Sequence, residues 1–323
     1  MMEIISQLNF AFPYIIRAMA LLSVVALGAL FSERSGVVNI ALEGIMIMGA
    51  FAGAWTMIIV MDNFDIPRQW NAFIGLFVGM VVGTGFSLFH AFAAVNMKSN
   101  QIISATALNF FAPAFAVFTA RAVTGDRALN VRLDYSIAEV PILSEIPLIG
   151  NWLFTNAFLS TYIAVVIFII AYIVLYKTPF GLRLRSCGEN PHAADSLGVN
   201  IYRIRYAGVM ISGALAGIGG VMFVLSFSTR FDGAVAGFGF LSLAVLISGQ
   251  WKPVRLLLIA FIFAMFRVIS EIPDELIGIK HLNLPMEIWR MMPFLATLTI
   301  LAITAKGSAA PRAVGEPFDA GKR

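Results

Sequence analysis

The residue types that usually carry chemistry are few and scattered in this chain. It has three histidines, His90, His192 and His281, and one cysteine, Cys187. None has a His or Cys neighbour at metal-ligand spacing, so no zinc-type site is expected. A single cysteine also excludes an intrachain disulfide. There is no GxxxxGKS/T phosphate loop, and neither a Ser/His/Asp nor a paired-carboxylate constellation stands out. The reading is of a chain without catalytic residues that binds no metal or cofactor itself.

Polar residues inside apolar runs are the next candidates. Asn39 and Glu43 fall about one helical turn apart near the start of an apolar helix, hence on one face. Groups of this kind are costly in a membrane and often line a pathway. The other reading is a capping or helix–helix hydrogen bond that fixes the helix entrance. Arg17 and Arg267 lie near helix ends, where long basic side chains reach the interface, and Arg267 can pair with Glu271 four residues on.

The stretch GENPHAADSLG (188–198) is small and polar between two apolar runs. Asn190 is a good N-cap, Pro191 suits the first helical position, and Gly198 fits the position after the last turn, where positive φ is wanted. That predicts a helix of about two turns, with Ala193, Ala194 and Leu197 as a small apolar face. So short a helix needs something to pack against. Either it rests on the protein's own membrane ends or it is a docking knob for a cytoplasmic partner.

These motifs must be held by a greasy framework. Of 323 residues, 59% are hydrophobic and 12% charged, against about 25% charged in soluble domains. The mean hydropathy is +0.87. Runs of the roughly 20 apolar residues needed to cross a bilayer recur throughout. The fold class is therefore an all-α polytopic membrane protein, one domain over 1–323. Nine crossings are predicted, at 14–31, 37–61, 72–95, 101–120, 157–176, 206–227, 237–250, 254–270 and 290–305. The seventh is short enough to be broken or tilted. The run 32–43 either begins the second helix or is a half-helix dipping into protein. No cleavable signal peptide is expected.

Orientation follows from Lys and Arg in the loops. The 177–205 loop carries Lys177, Arg183, Arg185, Arg203 and Arg205, and the 306–323 tail carries Lys306, Arg312, Lys322 and Arg323, so both are placed in the cytoplasm. The acidic 271–289 loop suits the outside, and 121–156 joins it by alternation. The N-terminus is then outside. The net charge of +4 reflects these loops and gives no argument for nucleic acid. GIMIMGAFAG (44–53) and GVMISGALAG (208–217) share seven of ten residues. Small faces for close backbone approach explain this better than duplication.

The runs TPFGLRLRSCGENPHAADSLGVNIYRIRYAGVMISGALAGIGG (178–220), SERSGVVNIALEGIMIMGAFAG (32–53), GFGFLSLAVLISGQWKP (237–253) and PRAVGEPFDAGKR (311–323) resemble ABC-transporter permeases of the ribose, branched-chain amino acid and nucleoside import group. The tail and ERSGVVNIALEG look most like the nucleoside (guanosine-type) permeases. Cys187 replaces what is usually a small apolar residue in that group. The resemblance implies a type II importer fold in a bacterial plasma membrane, paired with a second permease subunit, homologous or identical. It also implies an ABC ATPase subunit that uses ATP and Mg, and an extracytoplasmic substrate-binding lipoprotein. The 188–198 segment would be the coupling helix, with Glu189, Asn190, Pro191, His192, Ala194, Leu197 and Gly198 meeting the ATPase. For a nucleoside, Asn39, Glu43, Gln101, Ser104 and Asn109 are the pathway candidates. A simple sugar such as ribose is the rival substrate. An ion-coupled secondary transporter would want midplane ionisable residues, in which the chain is poor. A non-transporting anchor would leave the cytoplasmic helix unexplained.

Overall fold

A helix that is apolar on every side can bury one face in protein and leave the rest to lipid, and helices of that kind build this molecule. The structure is a computed structural model and describes residues 2–131, 134–141, 143–146, 149–228, 230–271, 285–304, 310–319 and 321. In chain order the elements are α1 (Met2–Arg34), α2 (Leu42–Asn63), α3 (Arg68–Val95), α4 (Gln101–Thr124), β1 (Leu129–Asn130), β2 (Ser136–Glu139), α5 (Ile149–Leu153), β3 (Thr155–Phe158), α6 (Leu159–Lys177), α7 (Pro179–Glu189), α8 (Pro191–Ser196), α9 (Ile201–Ser226), β4 (Arg230–Phe231), α10 (Phe238–Ser248), α11 (Pro253–Glu271) and α12 (Met286–Thr304). Among the described residues eight helices are long and apolar enough to span a membrane: α1–α4, α6, α9, α11 and α12.

The centre is a bundle of α1, α2, α3 and α9, brought together by glycine. A Cβ on Gly49 would stand 2.5 Å from the Gly217 Cα, and one on Gly217 only 2.0 Å from the Gly79 carbonyl oxygen. The backbones of α2, α3 and α9 therefore touch, as small residues allow where lipid gives no hydrophobic drive to association. The two similar stretches, 44–53 and 208–217, meet along this seam, in support of the packing explanation. The contacts also fix direction. Gly28 lies against Ser212 while Gly208 lies against Phe31, so α1 and α9 are antiparallel; Gly49 meets Gly217 while Gly53 meets Val221, so α2 and α9 run the same way.

Three crossings differ from the sequence expectation. The first helix begins at Met2 rather than at 14, so Arg17, expected near a helix end, lies well inside α1. The second helix starts at Leu42, not at 37, because α1 continues to Arg34 and residues 35–41 are non-helical. The run 32–43 is thus not a half-helix: it holds the end of α1, an unwound link over 35–41 and the first two residues of α2. Asn39 bonds Ser212, eleven residues into α9, of which the first five belong to the basic 177–205 stretch. At 1.5 Å per residue the unwound link therefore climbs roughly a third of the way into a hydrocarbon core about 30 Å thick. In the seventh crossing only α10 is helical, and its 11 residues span about 16 Å, half the core. Its inner end leads to Trp251 beside Glu33 at the cytoplasmic end of α1, and its outer end begins at Glu43. Residues 232–237 carry the chain down to that point without helix.

Between α4 and α6 the strands β2 and β3 pair antiparallel, and β1 pairs with β4. The outer part of α1 joins them. Trp152 Nε1 donates to Asn9 Oδ1 at 2.7 Å, and Arg17 donates to the Asn156 carbonyl at 2.6 Å with its guanidinium over the Tyr14 and Phe158 rings. These contacts put the start of α1 on the side of the 125–158 segment. Arg267 and Glu271 form the expected i, i+4 pair at 2.8 Å. Most of the acidic 271–289 loop, residues 272–284, lies outside the described residues.

Candidate functional site

Unwound backbone cannot stand in lipid unless each N–H and C=O finds a partner, and the polar residues singled out in the apolar runs supply those partners. Val38 N–H donates to Gln101 Oε1 at 2.7 Å, and the Val38 carbonyl lies 2.8 Å from His90 Nε2. A carbonyl only accepts, so Nε2 carries the proton; Nδ1 lies 3.0 Å from Ser104 Oγ, whose hydroxyl also has the Gln101 carbonyl within reach as an acceptor at 3.1 Å. Asn39 Oδ1 accepts from Ala41 N–H, and its amide donates to Ser212 Oγ at 2.9 Å. Asn109 grips both sides of the break: its Oδ1 accepts from Gly44 N–H at 2.8 Å, and its Nδ2 donates to the Ile40 carbonyl at 2.9 Å. The N-cap of α2 is Ala41, which has no capping side chain. Asn109 on α4 provides the cap from 65 residues away.

The start of α10 is held in the same manner. Its N-cap is Gly237, at φ +77°, again without a side chain. Glu43 of α2 serves instead: Oε1 accepts from Gly237 N–H at 2.9 Å and Oε2 from Gly239 N–H at 2.7 Å. The carboxylate thus lies between two helix N-termini, both of which favour negative charge. Glu43 and Asn109 make the two half-membrane breaks one polar layer. Around it His90, Asn39 and Ser212 are fully buried and Gln101 is 4% exposed. Gln101 Nε2 is buried with no hydrogen-bond partner among the described residues. A row of rings, Phe86, Phe111 and Phe115, stacks along α3 and α4 beside this layer at 6.1 and 5.5 Å.

The structure therefore brings Asn39, Glu43, Gln101, Ser104 and Asn109 into one neighbourhood. Their polar groups face the 38–44 backbone and the start of α10. His90 belongs to the same layer. Its sequence signal was a histidine within an apolar helix, which must find two partners, but its separation from the other histidines hid the role.

The 177–205 loop is built by local chemistry. Thr178 Oγ1 caps α7 at Gly181, and Asn190 Oδ1 caps α8 at Ala193 at 3.0 Å, with Pro191 at the first helical position. Gly198 has φ +81°, and Val199 N–H returns to the Ala194 carbonyl at 3.1 Å. The apolar face divides: Ala194 is 3% exposed and packs on Cys187 and Ile201, whereas Leu197 is 85% exposed. The expectation of one face shared by Ala193, Ala194 and Leu197 is corrected, because six helical residues turn Ala194 inward and leave Ala193 and Leu197 pointing away. Glu189 pairs with Arg34 at 3.4 Å, and Arg34 also donates to the Trp251 carbonyl at 2.9 Å. This ties the loop to the ends of α1 and α10. Burial pushes the Cys187 thiol up to about 11, against the opposing charge of Arg205.

Among the described residues, eight helices long and apolar enough to cross a membrane, two discontinuous segments joined by one polar layer, and a separately capped loop helix define a multi-pass helical membrane protein. The family described as branched-chain amino acid transport system / permease component matches residues 12–301, and the chain belongs to it. It is 39% identical over 291 residues to the nucleoside ABC transporter permease NupC of Lactococcus lactis subsp. cremoris, covering 90% of each chain. It is 36% identical to the guanosine ABC transporter permease NupQ of Bacillus subtilis, over the full length of both. A putative glucose ABC transporter permease of Haloferax volcanii is 28% identical over 307 residues, 89% of each chain. No solved structure matches the chain.

Proposed function

We propose that this chain is the membrane-spanning subunit of an ATP-driven importer of nucleosides. The observation that carries the reading is its similarity to nucleoside and guanosine permeases along nearly its whole length. The chain has no phosphate loop of its own, so an ATPase subunit binds ATP and Mg and docks on Leu197, Ala193 and neighbouring parts of α8. A second permease, identical or homologous, completes the pathway, and an extracytoplasmic binding lipoprotein delivers the substrate. The pathway runs beside the polar layer. Gln101 Nε2, buried and unpaired among the described residues, becomes the donor for a sugar hydroxyl when the wall opens, the exposed rings of Phe111 and Phe115 suit a base, and Asn39, Glu43, Ser104 and Asn109 shape the wall by fixing the break.

The test is uptake of labelled guanosine and other nucleosides, with ribose and glucose alongside, in a strain deleted for this gene and complemented with it. ATP-dependent nucleoside uptake restored by the gene is the expected result. Uptake that survives ATP depletion but collapses with the proton gradient sinks the reading. Restoration of sugar uptake alone moves the substrate to the class of the Haloferax relative.

A further inference from the structure

The tail segment 310–319 plays no part in the function proposed above, yet it is tied to the cytoplasmic face at five points. Ala313 N–H donates to the Gly188 carbonyl at 2.8 Å, and Gly315 N–H to the Gly36 carbonyl at 3.0 Å. Gly315 has φ +83°, a conformation that favours glycine. Arg205 is 1% exposed and donates Nη1 to the Glu316 carbonyl at 2.8 Å. On its other side its Nη2 lies against Gly36, where a Cβ would stand only 2.9 Å away. Asp319 pairs with Lys98 of the α3–α4 loop at 3.2 Å.

The fifth point is Phe318, which is 5% exposed. Its ring packs beneath α8 with Cys187, Ala194 and Ile201, and lies 5.2 Å from the His192 ring and 5.8 Å from that of Tyr202. Terminal segments are poorly ordered unless tied down, and every tie here leads to a functional element. Phe318 supports the inner side of α8, the side Ala194 occupies, and leaves Leu197 outward. Gly315 and Arg205 hold Gly36, the first turn of the unwound link that rises to the polar layer. Besides the start of α9 and the contact of Gly188 and Glu189 with Arg34, a covalent segment of three residues, 316–318, thus runs between the floor of α8 and the base of the link.

We propose that the tail is a strap which sets the position of α8 relative to the link at Gly36, so that displacement of α8 reaches the membrane break through it. Phe318 is the positioning residue and acts through Ala194. This inference rests on the importer reading above, since it needs an ATPase to displace α8.

The experiment uses the full complex in proteoliposomes, with nucleoside uptake and ATP hydrolysis measured together for the wild type, F318A, F318L and A313P. F318L keeps most of the apolar volume. A313P removes the N–H given to Gly188 and leaves Phe318 in place. The expected result is that F318A retains most ATP hydrolysis while uptake per ATP falls about tenfold, within the usual range of coupling between sites. F318L stays within about twofold of the wild type, and A313P falls between the two. Equal uptake per ATP in the wild type, F318A and A313P overturns the strap and leaves the importer reading standing. If F318A does not insert or assemble, A313P decides alone: unchanged uptake per ATP overturns the strap, and a fall supports it. A wild-type complex with no ATP-driven uptake overturns both.

Discussion

The membrane break and the cytoplasmic loop solve the same problem with opposite means. Each contains helix starts whose first N–H groups need acceptors. In the loop, Thr178 and Asn190 cap helices that begin one residue later. At the break, Ala41 and Gly237 stand at the cap positions without a capping side chain, and Asn109 and Glu43 arrive from other helices. A locally capped helix keeps its cap when its surroundings move. A helix capped from a distance loses that cap, worth about 1 kcal/mol, when its neighbours shift, so relative motion of α2, α4 and α10 bears directly on the break. The loop is thus suited to transmit a displacement as a unit, and the break to respond to one.

The largest expected effect comes from removing the distant cap of α10. Glu43→Leu leaves two N–H groups unpaired, at about 1–3 kcal/mol each. The purified permease should melt several degrees lower, and uptake should fall more than tenfold; wild-type melting and uptake would show that the two breaks are not interdependent. Next come the two sides of α8. Leu197→Asp should abolish co-purification of the ATPase while insertion and melting stay as in the wild type. Ala194→Glu places a charge in a packed site against Cys187 and Phe318, and should lower melting as well. If both variants act alike, the division of the face into an inner and an outer side is wrong.

A smaller and more direct comparison pairs the caps themselves. Asn109→Ala and Asn190→Ala each remove a cap at about 1 kcal/mol. The first should reduce uptake and the melting temperature together. The second should weaken ATPase binding and leave the melting of the membrane part unchanged. The smallest effect concerns Cys187. With its thiol pushed up to about 11, it stays protonated at pH 8, and reaction with a thiol reagent requires the thiolate. Labelling in inside-out vesicles should be slow at pH 8 and rise on unfolding, or in F318A, where the cover over it is thinned. Rapid labelling of the wild type would show that α7, α8 and the tail do not pack as described.

The loop was largely legible in the sequence because its chemistry is local. Asn190, Pro191 and Gly198 act within a few residues of themselves, and their spacing alone gives the helix and its two ends. The split between Ala194 and Leu197 was not legible, since it depends on Phe318, more than a hundred residues away. At the break the sequence picked out Asn39, Glu43, Gln101, Ser104 and Asn109 as polar groups in apolar runs, which the fold gathers into one layer, but it did not show what they hold, and Asn39 lies in the unwound link rather than on one helical face with Glu43. A helix that starts late, at Leu42, has the same apolar composition as one that starts at 37, and an 11-residue half-helix differs from a short crossing only in where its first residues lie.

The sequence by itself determined that this is a multi-pass helical membrane protein with a basic loop carrying a short, doubly capped helix. Hydropathy, charge placement and capping are properties of neighbouring residues, and a chain states them directly. Only the tertiary structure decided that α2 and α10 begin inside the membrane, that Glu43 and Asn109 close those starts, and that the tail lies under α8. Backbone groups in a lipid-filled core must be satisfied by whatever polar atom folding brings near, and that partner is set by the packing of glycine-lined helices rather than by distance along the chain.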